Sequence, residues 1–301
     1  MTDRFANDGY LGRRSVIELG ARARAFALLD EGSASELCGP FDRIESPWLS
    51  AQGLVPQSDD GMVVVKGRLA GHACLVVAVE GGFHGGGVGE VGGAKASTAL
   101  SLAAADSAEG RTTPAVLFLE SGGVRLQEGT LGLNAIAEIC DALLVLRPRA
   151  PVIGVVAGPI GAFGGMGIVA GLCTRLIVTR EARIGLNGPE AIEVEAGVQE
   201  FDSCDRALVW AVDGGTQRYR TGLADALVSD SIDDVRHSVI TAIAAGVPTR
   251  HRSEQLDTLH ARLDGLVEID PADLGPRWGT QFGDLPPLDL ASVPWPPADG
   301  T

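Results

Sequence analysis

Glu120-Ser121-Gly122-Gly123-Val124-Arg125-Leu126-Gln127-Glu128-Gly129 is the stretch on which the reading of this chain turns. It follows Ala115 to Leu119, a short run of continuous apolar residues, and leads into Thr130 to Leu146, whose apolar spacing is helical. A strand buried on both faces, then a glycine turn, then a helix is the unit of a largely parallel sheet or a β-α superhelix. Two consecutive glycines permit φ > 0 and leave the amides of Gly122 and Gly123 unobstructed, as a developing oxyanion requires. The same pair equally suits a turn that only closes a strand-helix joint. Arg125, Gln127 and Glu128 crowd the corner. A buried ion-pair and hydrogen-bond clamp fits them better than direct chemistry, in which the arginine would have no proton role.

The unit repeats along the chain. Met62 to Leu69 and Ala73 to Glu80 read as a hairpin around Ala70, Gly71 and His72. Helices are predicted over Lys95–Glu109, Thr130–Leu146 and Gly165–Leu172, with strands over Ala115–Leu119, Val152–Ala157 and Leu176–Thr179. The strand ends carry glycine loops at Gly81–Gly93, Gly122–Gly123 and Gly158–Gly167, and ligands of open α/β sheets bind beyond such carboxyl ends, so the three loops should line one site. In the third loop, with Gly158, Pro159, Gly161, Gly164, Gly165 and Gly167, a helix begins near Gly165. The free amides of Gly165 and Met166 could hold a carbonyl oxygen as it becomes an enolate, although glycine there would also allow close helix packing.

Gly87, Gly89 and Gly92 satisfy G-x-G-x-x-G but lie some seven residues beyond Glu80, whereas a dinucleotide fingerprint starts at the strand end, and Glu120 is too far on and sits inside another motif, so that reading is rejected. Lys95 has no phosphate-loop context. A tight structural loop and a backbone cradle for an extended ligand remain. Ser15 and Glu18 form a capping box that predicts a helix over Ser15–Asp30, and Gly39–Gly61 reads as a long irregular connection. Ile232–Ala245 and Ser253–Val267 look amphipathic, and Pro271–Thr301 reads as an extended or disordered arm. The expected organisation is a helix and connection over 1–61, one α/β domain over 62–268 and a proline-rich arm over 269–301.

Composition narrows the function. Among 301 residues, 24 Lys and Arg against 39 Asp and Glu leave a net charge of −15, which repels phosphate backbones and anionic lipid, so nucleic acid and membranes are poor partners. A 45% hydrophobic and 21% charged composition argues for a folded chain, and 41 glycines make close backbone approach a theme. Cys38, Cys74, Cys140, Cys173 and Cys204 are odd in number and lack any C-x-x-C pair, against both a zinc ribbon and a disulfide framework and in favour of a reducing cytoplasm. Cys140 and Cys173 look like core residues. Met1 to Gly12 has no apolar h-region, and no run of 18 apolar residues occurs. No Ser-His-Asp or Cys-His set stands out; of five histidines only His84 lies in a glycine loop, better read as a solvated loop residue than a base. Glu190, Glu193 and Glu195 after Gly188-Pro189 suit a helix N-terminus rather than a metal.

Gly81 to Gly89, then Glu120 to Gly129, then Gly164-Gly165, then Ile184-Gly185-Leu186-Asn187-Gly188-Pro189-Glu190-Ala191-Ile192-Glu193 occur in the order seen in the β-type half of acyl-CoA carboxyltransferases. The resemblance covers roughly residues 63–231 and implies the crotonase-like fold, an α/β architecture built as a β-β-α superhelix that handles thioester enolates. The chain lacks the N-terminal four-cysteine ribbon usual in bacterial acetyl-CoA carboxylase β subunits and has two extra residues before Gly164-Gly165. With Glu195 to Asp202, it most resembles the β subunits of biotin-independent malonate decarboxylases. That family implies decarboxylation of a malonyl thioester on an acyl carrier protein beside a related γ subunit, with the phosphopantetheine-type group delivered by the carrier and neither biotin nor zinc bound. Gly122, Gly123, Gly165 and Met166 are then the expected oxyanion donors, and Gly85, Gly86, Gly87, Gly89 and Gly164 the expected neighbours of the pantetheine arm. A biotin-dependent carboxyltransferase subunit and a non-catalytic carrier-docking subunit are the alternatives.

Overall fold

A computed structural model of the chain describes residues 13–54 and 60–264 and, beyond them, 269, 270, 273, 292 and 293. β2 (Met62–Leu69) and β3 (His72–Val79) form the expected antiparallel hairpin. Its two turn residues, Ala70 (φ 51°) and Gly71 (φ 84°), both take the left-handed conformation that matches a hairpin's twist. β1 (Ser35–Cys38) pairs antiparallel with β2. From β3 onward β4 (Ala115–Phe118), β5 (Val152–Val156), β6 (Arg175–Thr179) and β7 (Ala226–Val228) are parallel, and the seven strands lie in sequence order. Each crossover therefore returns beside the strand it left, and the chain advances as a superhelix.

The unbroken apolar strands are explained by burial on both faces. Leu75, Val77, Val79 and Leu117 pack against α2 (Glu90–Ala108), α3 (Thr130–Leu146) and α4 (Gly165–Leu172) through Leu100, Ile139, Leu143 and Val169. Val76, Ala78, Val116, Phe118 and Ile177 face the other way, onto α1 (Ala21–Leu28) and α8 (Ile232–Ala244) through Ala25, Leu28, Val235 and Val239. Between β6 and β7 lie α5 (Pro189–Ala196), α6 (Arg206–Asp213) and α7 (Gly215–Arg220); β8 (Val247–Pro248), α9 (Leu256–Leu263) and β9 (Ser292–Val293) follow α8, with β8 and β9 paired.

After each of the strands β3 to β6 the chain makes a second, much shorter sideways pairing. Parallel bridges join Val88 to Val124, Ser121 to Ala162 and Ala162 to Ile184, and an antiparallel bridge joins Arg183 to Gly214. This lateral ladder is the second β of the β-β-α unit, and the fold is the crotonase-like superhelix expected. Among the described residues no helix is long and apolar enough to cross a membrane.

Several boundaries differ from expectation, each for a tertiary reason. The first helix starts at Ala21 rather than Ser15. Ser15 Oγ does accept the Glu18 N–H at 3.2 Å, yet its hydroxyl donates to Asp230 at 2.5 Å, and the Glu80 carboxylate takes the Ala21 N–H at 2.8 Å, so an acid at the end of β3 sets the helix start. α2 begins at Glu90, five residues before Lys95, because Glu128 Oε2 accepts the Glu90 N–H at 2.7 Å. Within it Gly93 lies so close to α3 that an added Cβ would stand 2.3 Å from that of Ala135. β1 was not expected, since a half-exposed Ser-Glu-Leu-Cys shows no apolar alternation. The predicted ends of α9 at Val267 and most of the Pro271–Thr301 arm lie outside the described residues, as does Met1 to Gly12.

Lys95 is now accounted for: its Nζ meets Asp60 Oδ2 at 2.5 Å and donates to the Gly39 carbonyl at 2.9 Å, with both side chains almost wholly buried. Removing one partner strands a buried charge, so Lys95→Ala should lower the stability of the chain by about 3–5 kcal/mol, read as a fall in the urea unfolding midpoint. An unshifted midpoint would show that Asp60 finds another partner or water.

Candidate functional site

The three glycine loops converge at the carboxyl ends of β3, β4 and β5 and are bonded to one another through the backbone. Gly122 N–H donates to the Gly85 carbonyl at 2.9 Å, Val88 N–H to Gly123 at 2.9 Å, and Arg125 N–H to Val88 at 2.9 Å. On the other side Ser121 N–H donates to Gly161 at 2.7 Å, Phe163 N–H to Ser121 at 2.9 Å, and Gly164 N–H to Leu186 at 2.7 Å. Gly123 takes φ 123°, and Gly164 takes φ 55° opposite it. An added Cβ on Gly123 would lie 3.6 Å from the Phe163 carbonyl and 3.7 Å from Gly164 Cα, so this joint is backbone against backbone.

The clamp at the corner is present. Arg125 Nη1 meets Glu128 Oε1 at 3.1 Å, both residues buried, and the Arg125 guanidinium lies over the Phe83 ring at 5.4 Å. Glu128 thereby holds two loops at once, with one oxygen on Arg125 and the other on the first amide of α2. Gln127 is not part of it: in the short 3-10 turn Leu126–Glu128 its side chain is exposed, because a three-residue turn that buries Glu128 directs its neighbours outward.

The predicted donors are not equivalent. The amides of Gly122 and Gly123 are both engaged within the protein, the first on Gly85 and the second on Ser121 Oγ at 3.1 Å. Met166 is buried, and its N–H reaches the Phe163 carbonyl at 3.2 Å. Gly165, half-buried at the start of α4, has an N–H with no protein acceptor among the described residues, as expected of a first-turn amide. Its own Cα presses on Ile136, where a Cβ would come within 2.5 Å. Of the loop glycines expected near a pantetheine arm, Gly85 is exposed and Gly87 and Gly164 half-buried, whereas Gly86 and Gly89 are buried against Glu120 and Glu128. The latter two are packing residues: Gly86 sits at φ 69° with its missing Cβ 1.8 Å from the Glu120 carbonyl oxygen. His84 is exposed, in edge-to-face contact with Phe83.

Two buried acids were not singled out from the sequence. Glu120, 3% exposed, accepts the Gly158 N–H at 2.6 Å. Asp213, at the end of α6, lies 3.1 Å from Arg218 near Gly185 and Phe163, and burial pushes its carboxyl up to about 6 despite that arginine. Glu120 heads the Glu120–Gly129 stretch but gives no sign there of a role of its own, Asp213 belongs to no motif, and the burial of both depends on loops far apart in the chain. Glu190 and Glu193 lie on α5, Pro189–Ala196, with Glu193 accepting the Ser203 N–H at 2.8 Å. The five cysteines are all free; Cys74 and Cys173 are buried, which pushes both thiols up to about 12, whereas Cys140 is half-buried rather than fully in the core. Among the described residues no cluster of three or more His, Cys, Asp or Glu side chains is arranged to hold a metal.

A family model described as the carboxyl transferase domain matches residues 18–274. The chain is 40% identical over 289 residues to the malonyl-S-ACP:biotin-protein carboxyltransferase MADC of Malonomonas rubra, covering 91% of each protein. It is 52% identical to a chain of a Pseudomonas malonate decarboxylase hetero-tetramer crystallised with malonate, with a TM-score of 0.81 over 88% of this chain and 98% of that one. A chain of the Pseudomonas MdcD–MdcE hetero-dimer is 48% identical, with a TM-score of 0.70 over 83% of this chain and 96% of that one. Fold, loop order and a match across most of its length agree: the chain belongs to the carboxyl transferase domain family.

Proposed function

We propose that this chain is the β subunit of a biotin-independent malonate decarboxylase, converting malonyl-S-acyl carrier protein to the acetyl thioester beside a related γ subunit. The observation that carries the mechanism is the unengaged Gly165 amide at the N-terminus of α4, one residue beyond Gly164, which packs against Gly123. In the reaction the bond between the α-carbon and the carboxylate breaks, CO₂ leaves, and the electron pair stays on the α-carbon, delocalised into the thioester oxygen. A helix N-terminus holds that oxygen more strongly as its charge grows, and so lowers the barrier without a nucleophile. A proton then reaches the α-carbon. Gly165 supplies the free donor; Gly122, Gly123 and Met166, with their amides engaged, supply the surrounding wall, and the Ser121 hydroxyl that holds the Gly123 amide can exchange it for a ligand oxygen. Exposed Gly85, with half-buried Gly87 and Gly164, leaves room for a pantetheine arm. Five unpaired thiols favour the cytoplasm as its location.

The likeness to the Pseudomonas malonate decarboxylase chains, at 52% and 48% identity, supports the biotin-independent reading. The relative named for transfer to a biotin-protein favours a second, biotin-dependent one. The assembled complex should release CO₂ from malonyl-S-acyl carrier protein at an undiminished rate in the presence of excess avidin, and the same preparation should contain far less than one zinc per chain by metal analysis. Abolition by avidin would select the biotin-dependent reading, and one zinc per chain would mean that the cysteine spacing misled.

A further inference from the structure

Glu120 lies two residues beyond the end of β4 and immediately before Ser121, and three neighbouring glycines are shaped around it. An added Cβ would come 1.8 Å from its carbonyl oxygen at Gly86, 3.3 Å from its Cβ at Gly81 and 2.4 Å from its carboxylate at Gly158. These glycines belong to the loops on either side, after β3 and after β5. The side chain is almost fully buried, with Oε1 accepting the Gly158 N–H at 2.6 Å and Oε2 4.0 Å from Arg24 Nη1. Arg24 is itself buried and committed to the carbonyls of Val16 at 2.7 Å and Ile17 at 3.0 Å. Burial pushes the Glu120 carboxyl above its ordinary value and Glu80 adds to this, while Arg24, the Gly158 amide and Arg183 draw it back. An apolar side chain would fill such a space at less cost than a carboxylate with one long ion pair. What an apolar side chain cannot do is accept the Gly158 N–H.

We infer that Glu120 is a positioning residue for the decarboxylation proposed above: by accepting the Gly158 amide it fixes the start of the 158–164 loop, and with it the place of the Gly165 donor relative to the Gly122–Gly123 turn. The chain from Gly158 to Gly165 is short and is tied to the Glu120–Ser121 segment again at Gly161 and Phe163, so an error at its first residue is carried to the helix start. A displacement of about 1 Å at a reacting group can cost on the order of 10²-fold in rate. This inference rests on the proposed function.

Reach and charge are separated by two substitutions in the assembled complex. Glu120→Gln keeps an acceptor oxygen at the same distance and loses the charge. Glu120→Asp keeps the charge but withdraws the oxygen by one carbon–carbon bond, about 1.5 Å, beyond hydrogen bonding. The E120D complex should lose about 10²-fold in kcat with little change in KM, while E120Q stays within about threefold of the wild type. Amide hydrogen exchange over residues 158–165 should quicken in E120D and stay unchanged in E120Q. The opposite order of the two variants would assign the role to charge, and equal rates in both, whether normal or depressed, would remove the positioning role; each of these overturns the inference. If the wild-type complex releases no CO₂, the proposed function fails, while the exchange measurement still decides whether Glu120 holds the loop.

Discussion

Adding the purified γ-type partner to this chain should raise CO₂ release from malonyl thioester by about 10²-fold or more, the scale on which completing an active site with a missing group acts. In the proposed reaction the loops of this chain would stabilise the charge that develops on the thioester oxygen, and none of the loop side chains weighed as a proton donor is placed to protonate the α-carbon. His84 is exposed on its loop, Arg125 and Glu128 are locked in a clamp, and Glu120 is buried behind the loops with its carboxylate on Gly158. The donor helix also presents an uncovered apolar side: Ile168, 50% exposed, lies beside Leu186, 65% exposed, in a cleft of about 280 Å³ that also includes Gly167 and Gly171. A related subunit seated there would both cover this face and complete the site. Rates are to be compared for each chain alone and for the mixture, at matched concentrations. Full activity of the single chain would end the shared-site reading and send the search for a proton donor back to His84, Arg125 and Glu128.

Replacing Gly123 by valine should cost about 10² to 10³ in turnover, the loss expected when an oxyanion site is disabled, while the far-UV circular dichroism stays that of the wild type. At φ 123° an L side chain is strained wherever its atoms lie, and a β-branched one is the least able to adapt. Its Cβ alone would already touch the Phe163 carbonyl and Gly164 Cα. The core is untouched, because Gly123 lies beyond the sheet. Wild-type turnover in a folded variant would remove the turn from the site. The same result would favour a subunit that only docks the carrier protein.

Most of the architecture was legible because the strands are buried on both faces, so Ala115 to Phe118 and Val152 to Val156 stand out as continuous apolar runs. The helix starts at Thr130, Gly165 and Ile232 were legible too, but those at Ala21 and Glu90 were not, since they are set by the distant acids Glu80 and Glu128. In the site, charge and spacing were enough to find Arg125 and Glu128 as a clamp. They could not show that Gln127 turns outward, nor that the Gly122 amide is taken by Gly85, a residue 37 positions earlier. Glycine content signals that backbones approach closely but not which backbone meets which. Glu120 was hidden for a related reason: its partners, Arg24 and Gly158, come from elements on either side of it in the chain.

The lateral ladder from Val88 through Val124, Ser121, Ala162, Ile184 and Arg183 to Gly214 bears on how this protein can change over generations. In many α/β enzymes the loops above the strands are independent, and specificity drifts by altering one while the rest stay put. Here each loop is stitched to the next, so an insertion in one misaligns its neighbours. Variation in what the pocket accepts is therefore channelled into single side chains at the rim and into the subunit that faces it, and the stitched loops themselves are left as a nearly fixed inheritance.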